Sequence, residues 1–400
     1  MSTNSQASQR IASLLDENSF VEIGAGVTAR STDFNLKQTE TPSDGVITGY
    51  GVIGGSLVYV YSQDVSVLNG SVGEMHAKKI ANLYDLALKT GAPVIGLIES
   101  AGLRLQEATD ALNGFGEIYK KQVLSSGGIP QITAIFGTCG GGLALIPTLT
   151  DFTFMEEKKA KLFVNAPNAL DGNEISRCDT SAAAFQSEEV GIVDVVADEA
   201  GVLAKIRELV CMLPANNQDD MLYEDCTDDL NRECAGIAGC VGDTSIALSQ
   251  LADNGEVFEV KAGYAKEMVT AFIRLNGETV GAVANRSEVY GDEGEVTDKF
   301  DAVLTPAGCD KAADFIEFCD AFNIPVLSLT NVKGFKADKC SEKRIAKAAA
   351  KLTYAFANAT VPKVNVIIGQ AFGSAYVAMN SKAIGADITM AWPDAQIGTM

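Results

Sequence analysis

One histidine and one tryptophan serve all 400 residues, and basic charge is short: 31 Lys and Arg stand against 52 Asp and Glu, a formal net charge of -21. Nucleic-acid binders need basic surface to neutralise phosphates, so that class is excluded. An anionic small ligand is not, because local basic residues override a net field, and Lys78, Lys79, Arg104, Lys120 and Lys121 gather in the first half. No apolar run reaches transmembrane length, and the opening MSTNSQASQR is polar, with no apolar core of a signal peptide. A cytoplasmic protein is expected. Nine cysteines include no CxxC pair, and Cys226, Cys234 and Cys240 cluster only loosely. With so little histidine beside them, free thiols are expected and a metal site is not.

Conventional catalytic signatures are also missing. There is no GxSxG elbow for a hydrolase nucleophile. His76, in GSVGEMHAKK, has no evident Ser or Cys partner and reads as structural. Glu99, Glu107 and Asp110 form no readable glycosidase pair, though carboxylates near a strand end can position a partner group.

What is present is ordinary globular composition, 47% apolar and 21% charged, in a chain longer than one core normally supports. Two domains are expected, and an internal repeat supplies them. Pro93 in GAPVIGLIES matches Pro325 in NIPVLSLTN at an offset of 232. Pro130 and Gly137 in IPQITAIFGTCGGGLAL match Pro362 and Gly369 in VPKVNVIIGQAFGSAYV at the same offset. Two blocks at one spacing indicate two copies of one fold. Each copy places an amphipathic helical stretch near a Pro-led apolar strand, and the strand ends in a glycine-rich turn that leads into a small-residue helix. Upstream, GYGVIGGSLVYVYSQD and YAKEMVTAFIRLNGETVGAVANRS read as strand pairs turning at Gly55 and Gly277. The fold class is α/β.

The acidic stretch Leu213–Cys234, interrupted by Pro214, reads as the linker, giving domains 1–224 and 225–400. After Gly142 the first copy runs on to that linker, whereas after Ser374 only 26 residues remain before Met400. The ending AQIGTM is apolar, so the second domain is expected to be incomplete and the chain to continue.

The glycines of FGTCGGGL admit three readings. GTCGGG has neither the lysine of a P-loop nor the spacing of a dinucleotide fingerprint, which argues against a nucleotide. The glycines could simply let a helix pack close to a sheet. Alternatively, a glycine pair at a strand-to-helix turn exposes adjacent backbone N–H groups suited to negative charge developing on an oxygen. The second copy repeats the turn at Gly373, Ser374 and Ala375. Two such turns suggest two oxyanions and two carbonyl-containing reactants. ESAGLRLQEA, GSVGEMHAKK and FGTCGGG are expected on one rim, since ligands of α/β sheets gather beyond strand C-termini.

Longer motifs narrow the choice. SQDVSVLNGSVGEMHAKKI, PVIGLIESAGLRLQEATDALNGFGEIYKK, GTCGGGLALIPTLTDFTFM, FCDAFNIPVLSLTNVKGF and ATVPKVNVIIGQAFGSAYVAMNSK resemble the carboxyltransferase subunit of biotin-dependent acyl-CoA carboxylases and decarboxylases. The likeness runs from about Arg10 to Met400. It implies two tandem crotonase-like (ClpP/crotonase) ββα-spiral domains, acyl-CoA on the first and biotin on the second. The acyl oxyanion hole of the family's GPCAGGA motif falls on Gly141 and Gly142, and the biotin-side hole of YGGAY on Ser374 and Ala375. Gly140, Gly373, Phe372 and Tyr376 flank them as ligand-binding positions. The pattern departs at ESAGLRLQ for SGGAR, at Gly140 for an alanine, at Ser374 for a glycine, and at Lys333 in TNVKGF for the proline of VDVPGF.

The resemblance further implies a homo-oligomer, a hexamer built as a trimer of dimers, with each active site completed by the dimer partner. Its cofactor would be biotin on a separate biotin carboxyl carrier protein, and its substrate a CoA thioester, with no metal bound directly. A biotin carboxylase or a membrane decarboxylase subunit would be the further partner, so the protein could lie peripheral to a membrane complex. The chain itself shows no biotinyl-lysine AMKM motif and no ATP-grasp glycine loop. A biotin-independent crotonase-type hydratase or isomerase and a non-catalytic scaffold are the alternatives.

Overall fold

The computed structural model describes residues 5–30, 40–219, 223–234, 236–291 and 293–399. The chain divides into two compact units, Met1–Asp219 and Asp220–Met400. Part of the expected linker, residues 220–222, lies outside the described residues, as does Met400.

In the first unit the elements are α1 (Gln6–Leu14), β1 (Val21–Ile23), β2 (Val46–Ile53), β3 (Ser56–Gln63), α2 (Glu74–Thr90), β4 (Val94–Ile98) and α3 (Ala108–Ser125). They continue with β5 (Gln131–Ile135), β6 (Thr138–Gly140), α4 (Leu145–Thr148), β7 (Phe152–Glu156), β8 (Lys161–Phe163), β9 (Val195–Ala197) and α5 (Glu199–Met212). The main sheet has the order β1-β2-β3-β4-β5-β7-β9. Its first three strands are antiparallel and the rest parallel, so each later strand needs a crossover. Every residue of β4, β5 and β7 is buried, which explains why they read as unbroken apolar runs rather than alternating ones.

The second unit holds α6 (Thr244–Leu251), β10 (Val257–Val260), β11 (Met268–Leu275), β12 (Glu278–Asn285), β13 (Glu288–Tyr290), β14 (Val296–Lys299), α7 (Pro306–Ala321) and β15 (Val326–Val332). It ends with α8 (Lys339–Glu342), α9 (Ile345–Asn358), β16 (Lys363–Phe372), α10 (Gly373–Ala378), β17 (Ile388–Ala391) and β18 (Gln396–Gly398). Its sheet runs β10-β11-β12-β15-β16-β17, with β18 pairing the end of β16.

The prolines that anchor the repeat do the same work twice. Each opens a strand where its missing N–H costs nothing, and its carbonyl receives the ladder bond of the neighbouring strand. Tyr59 N–H donates to Pro93 and Gly281 N–H to Pro325, both at 2.9 Å. Val94 N–H donates to Pro130 at 3.0 Å and Val326 N–H to Pro362 at 2.9 Å. The turn residues behave as expected, with Gly54 and Gly55 at φ 56 and 90, and Asn276 and Gly277 at φ 54 and 80. The string Gly49-Tyr50-Gly51-Val52-Ile53-Gly54, which has dinucleotide-fingerprint spacing, lies in this hairpin rather than at a strand-to-helix turn.

One refinement concerns the repeat itself. The hairpins pair Val46 with Gln63 and Met268 with Asn285, an offset of 222 (268 against 46). The helices that follow begin at Glu74 and Pro306, an offset of 232 (306 against 74). The difference lies in the connection between hairpin and helix, which in the second unit carries the β13–β14 ribbon.

α2 shows how sequence sets these helices. Its buried face is spaced as Ala77, Ile80, Ala81, Tyr84 and Ala87, with Glu74 in the first turn and Lys89 in the last. Gly91 ends it in the left-handed conformation, φ 64, returning its N–H to Ala87. At the other end Gly73 has no room for a side chain, since a Cβ would lie 2.4 Å from an Arg104 nitrogen. Among the described residues no helix is long and apolar enough to cross a membrane.

Candidate active site

The first glycine turn is built by β5 and β6. After Ile135 the chain passes Gly137, where a Cβ would fall 2.5 Å from Glu99 Cγ, so only glycine fits. β6 pairs in parallel with β8, Gly140 opposite Phe163, and the Phe163 ring covers Gly140 so closely that a Cβ would meet it at 2.6 Å. Gly141 then takes φ +63, where glycine is strongly favoured. A Cβ on Gly141 would have no neighbour within 4 Å, so space is open in front of it.

The expected small-residue helix after this turn is not continuous. Gly141–Ala144 is a 3-10 turn and only Leu145–Thr148 is α-helical. Pro147 supplies the reason: it has no N–H for the carbonyl of Leu143, four residues back, and that acceptor is met instead by the Leu145 N–H and by the Cys139 thiol, 3.5 Å away. A piece this short carries little macrodipole, so the N–H groups themselves are the useful donors. In a 3-10 turn capped at Gly140 the first internal donor is Leu143, which leaves the N–H groups of Gly141 and Gly142 free.

The second turn has the same form. β16 passes Gly369, where a Cβ would lie 2.6 Å from Asn331 Oδ1, and its end pairs with β18, Phe372 opposite Gly398. Gly373 takes φ +59 and opens α10, so the N–H groups of Gly373, Ser374 and Ala375 have no partner within the helix. Gly142 and Ser374 are both exposed, while Leu143 and Ala375 are both buried. Conformation and burial therefore match Gly141 with Gly373 and Gly142 with Ser374. The pair expected in the second copy, Ser374 and Ala375, sits one residue further along. Phe372 stands at the position of Gly140, and Phe372 and Tyr376 are half-buried beside the turn.

The three segments expected on one rim do meet in the first unit. Ser100 N–H donates to Thr138 O at 3.0 Å, joining the ESAGLR segment to β6. Val72 N–H donates to Gly102 O and Arg104 N–H to Val72 O, joining ESAGLR to the segment before α2. Beneath them run two left-handed turns, Ser43-Asp44-Gly45 at φ 52, 49 and 72 and Leu68-Asn69-Gly70 at φ 48, 54 and 64. Such backbone persists only where neighbours over-determine it. Asp44 accepts the His76 N–H at 2.7 Å and the Arg104 guanidinium at 2.6 Å, while Lys79 Nζ binds the Ser43 carbonyl at 2.9 Å. Asn69 O accepts Ala101 N–H, and Gly70 O accepts the Ser100 hydroxyl.

The ionisable side chains near the first turn are committed to this framework. Glu99 pairs with Arg10 at 2.5 Å, Glu107 with Arg104 at 2.7 Å, and Asp110 with Arg30 at 3.1 Å. His76 is fully buried; its Nδ1–H donates to Asp44 O at 3.0 Å and its Nε2 accepts from Gln63 Nε2 at 3.2 Å, partners that assign the tautomer. Burial first, then the Arg104 charge, depress its pKa to about 3, so the imidazole is neutral and occupied. Burial also raises the Asp44 carboxyl, against the pull of Arg104. All nine cysteines are free thiols, and among the described residues no group of three or more His, Cys, Asp or Glu could hold a metal.

Sequence reasoning missed the side chains that hold the turn from behind. Tyr119 donates its hydroxyl to Gly142 O at 2.5 Å, and Gln122, one turn further along α3, donates to Ile146 O at 3.1 Å. No sequence signal marks them, because Tyr119 reads as another aromatic on a mostly apolar helix face.

Residues 3–400 match the model of the carboxyl transferase domain family. The chain is 39% identical over 412 residues to the methylmalonyl-CoA decarboxylase subunit alpha of Propionigenium modestum, covering 98% of this chain and 77% of that one. It is equally identical, over 412 residues, to the propionyl-CoA carboxylase beta chain of Roseobacter denitrificans, covering 98% and 78%. Among solved structures, transcarboxylase 12S, a hexamer seen with hydrolysed methylmalonyl-coenzyme A, superposes with a TM-score of 0.90 at 36% identity, covering 98% of this chain and 76% of that one. With a duplicated ββα architecture and likeness along nearly its whole length, the chain is a member of the carboxyltransferase family of biotin-dependent acyl-CoA carboxylases and decarboxylases.

Proposed function

We propose that this chain transfers a carboxyl group between biotin on a separate carrier protein and the α-carbon of a short acyl-CoA. The observation that carries the reading is the duplicated turn, Gly141 at φ +63 and Gly373 at φ +59, each followed by N–H groups without internal acceptors. Carboxyl exchange between a thioester and a ureido ring develops negative charge on two carbonyl oxygens, and two donor turns answer two charges. Domain 1–224 takes the acyl side and domain 225–400 the biotin side.

The N–H groups of Gly141 and Gly142 hold the thioester oxygen as the α-carbon loses its proton, stabilising the enolate. Those of Gly373, Ser374 and Ala375 hold the ureido oxygen. Both turns have room: a Cβ on Gly141 would touch nothing within 4 Å, and one on Gly373 would meet only Thr399 O, at 3.4 Å. Biotin, when delivered, supplies the carried carboxyl group and a basic ring nitrogen, so no side-chain base is needed. That accords with a buried, neutral His76 and carboxylates tied to Arg10, Arg30 and Arg104. The protein's contribution is proximity and preorganised donors, each such donor being worth about 3 kcal/mol, on the order of a hundredfold in rate.

The partners follow from that chemistry. The chain assembles as a homo-oligomer, a hexamer as transcarboxylase 12S is, and works with a carrier and either a biotin carboxylase or a membrane decarboxylase subunit. The test is isotope exchange. Mixed with biotinylated carrier and acetyl-, propionyl-, methylmalonyl- and glutaconyl-CoA in turn, the chain passes labelled carboxyl between biotin and one thioester without hydrolysing ATP. Hydration or isomerisation of a thioester without biotin, and no exchange with any, overturns the proposal in favour of a crotonase-type hydratase or isomerase.

A further inference from the structure

Gly141 and Gly142 are two adjacent glycines, and such a pair has many conformations open to it. For their N–H groups to act as fixed donors, something must hold the backbone on both sides. Upstream, the β6–β8 ladder ties Gly140 against Phe163. Downstream, the Leu145 N–H closes the 3-10 turn onto Gly142 O, and side chains add to that hold. The Tyr119 hydroxyl donates to Gly142 O at 2.5 Å, the Cys139 thiol lies 3.5 Å from Leu143 O, and Gln122 Nε2 donates to Ile146 O at 3.1 Å. Tyr119 also faces Gly142 so closely that a Cβ there would lie 3.1 Å from its oxygen.

The second copy shows that folding the turn does not require these donors. At the 232 offset Tyr119 becomes Lys351, Gln122 becomes Tyr354 and Cys139 becomes Ala371. Lys351 is bonded to Asp314, Tyr354 is 63% exposed, and alanine has no donor. Yet Gly373 reaches φ +59, matching Gly141 at +63. The second turn is held further along, where Asn365 Nδ2 donates to Met379 O at 3.1 Å, so a side-chain donor on the turn's second residue is an addition to the first turn.

We propose that Tyr119 is a positioning residue for the acyl-side reaction: by holding the carbonyl of Gly142, and with it the peptide that follows, it restricts rotation at Gly142 and so steadies the Gly141 and Gly142 N–H groups that precede it. The inference rests on the carboxyltransfer reading of the site. Tyr119 does not touch the reacting atoms. It removes a freedom that the glycine pair would otherwise have at the moment charge develops. Burial, with the neighbouring Cys139, raises the phenol pKa, so the hydroxyl stays protonated and remains a donor at neutral pH.

The variant Tyr119→Phe deletes one O–H and keeps the ring. Two measurements decide its effect. In amide hydrogen exchange followed by mass spectrometry, peptides covering residues 139–146 exchange faster in the variant and the rest of the chain does not. In the isotope-exchange assay with free biotin and the thioester that the native chain accepts, kcat falls about tenfold while KM stays within about twofold, the loss expected when one neutral hydrogen bond acts on the transition state alone. Incorporating 3-fluorotyrosine at position 119, which keeps the donor, restores both.

Unchanged exchange over 139–146, or an unaltered kcat, overturns the proposal. So does a variant in which kcat, KM and melting temperature all worsen together, because that is a merely structural role. If the native chain exchanges label with none of the thioesters, the carboxyltransfer reading falls, while the amide-exchange measurement still decides whether Tyr119 holds the turn.

Discussion

Asn331 occupies in the second unit the place that Glu99 occupies in the first. Glu99 directly follows β4 and Asn331 lies near the end of β15, and their side chains sit against Gly137, just past β5, and Gly369, within β16. Each also receives its backbone bond from the hairpin: Glu99 N–H donates to Gln63 Oε1 at 3.3 Å and Asn331 N–H to Asn285 Oδ1 at 3.0 Å. Gly137→Ala and Gly369→Ala should therefore destabilise their own units alike. A loss of about 1–3 kcal/mol is expected for each, the usual cost of overpacking a site that cannot open. Urea unfolding monitored by tryptophan fluorescence and circular dichroism checks this. A neutral effect at either glycine would show that the side chain above it can move aside.

At the first turn, space and strain separate. Gly141→Ala puts a methyl into open space but forces an L-residue to φ +63, at a cost of about 1–2 kcal/mol. Gly142→Val presses on the Tyr119 hydroxyl and projects into the crevice. Both should lower carboxyl-exchange turnover by on the order of a hundredfold or more with the circular dichroism spectrum retained. Initial rates with native-like turnover in either variant would remove that glycine from the site.

The duplicated framework was legible because it rests on residues that have no substitute. Pro93, Pro130, Pro325 and Pro362 give carbonyls to neighbouring ladders without needing an N–H, and Gly137 and Gly369 leave room for a side chain above. The tight hairpins were legible from Gly55 and Gly277 for the same reason. The supports of the site were not. Glutamate and asparagine perform one role at positions 99 and 331, so the role leaves no common letter. Tyr119 reaches Gly142 across 23 positions, and its partner is a carbonyl, which every residue has. The change from 3-10 turn to α-helix after Ala144 has no mark in the residues on either side of it, because Pro147 acts on a carbonyl four positions upstream.

Histidine 76 provides a clean spectroscopic test, being the only one in the chain. Its folded pKa of about 3 lies below the ordinary value of 6.5, so between those values the unfolded state binds a proton that the folded state does not. Stability from this group is therefore present above pH 6.5 and is lost as pH falls toward 3, at about 1.4 kcal/mol per pH unit within that window. Histidine-selective NMR should show one imidazole that does not titrate between pH 5 and 8 and that keeps the Nδ1–H tautomer. Titration near pH 6.5 in the folded protein would contradict the Asp44–His76–Gln63 arrangement.

Thiol chemistry should sort the cysteines by burial. Burial raises the thiols of Cys139 and Cys319 strongly and that of Cys309 to about 12, whereas Cys340 is exposed. A maleimide or aromatic disulfide reagent should label Cys340 first, and Cys139, Cys309 and Cys319 only under denaturing conditions. Peptide mass spectrometry after brief labelling reads the order. Rapid modification of Cys139 in the native protein would show that the turn it backs opens readily.

The two offsets, 222 for the hairpins and 232 for everything from the following helix to the glycine turn, carry a history as well as a geometry. One insertion or deletion of ten residues, at the junction where the second unit holds its β13–β14 ribbon, reconciles both numbers. Through the whole stretch from helix to turn, the two copies show no net difference in length. The difference is local: it falls where hairpin meets helix, and none separates the copies where strand meets glycine turn.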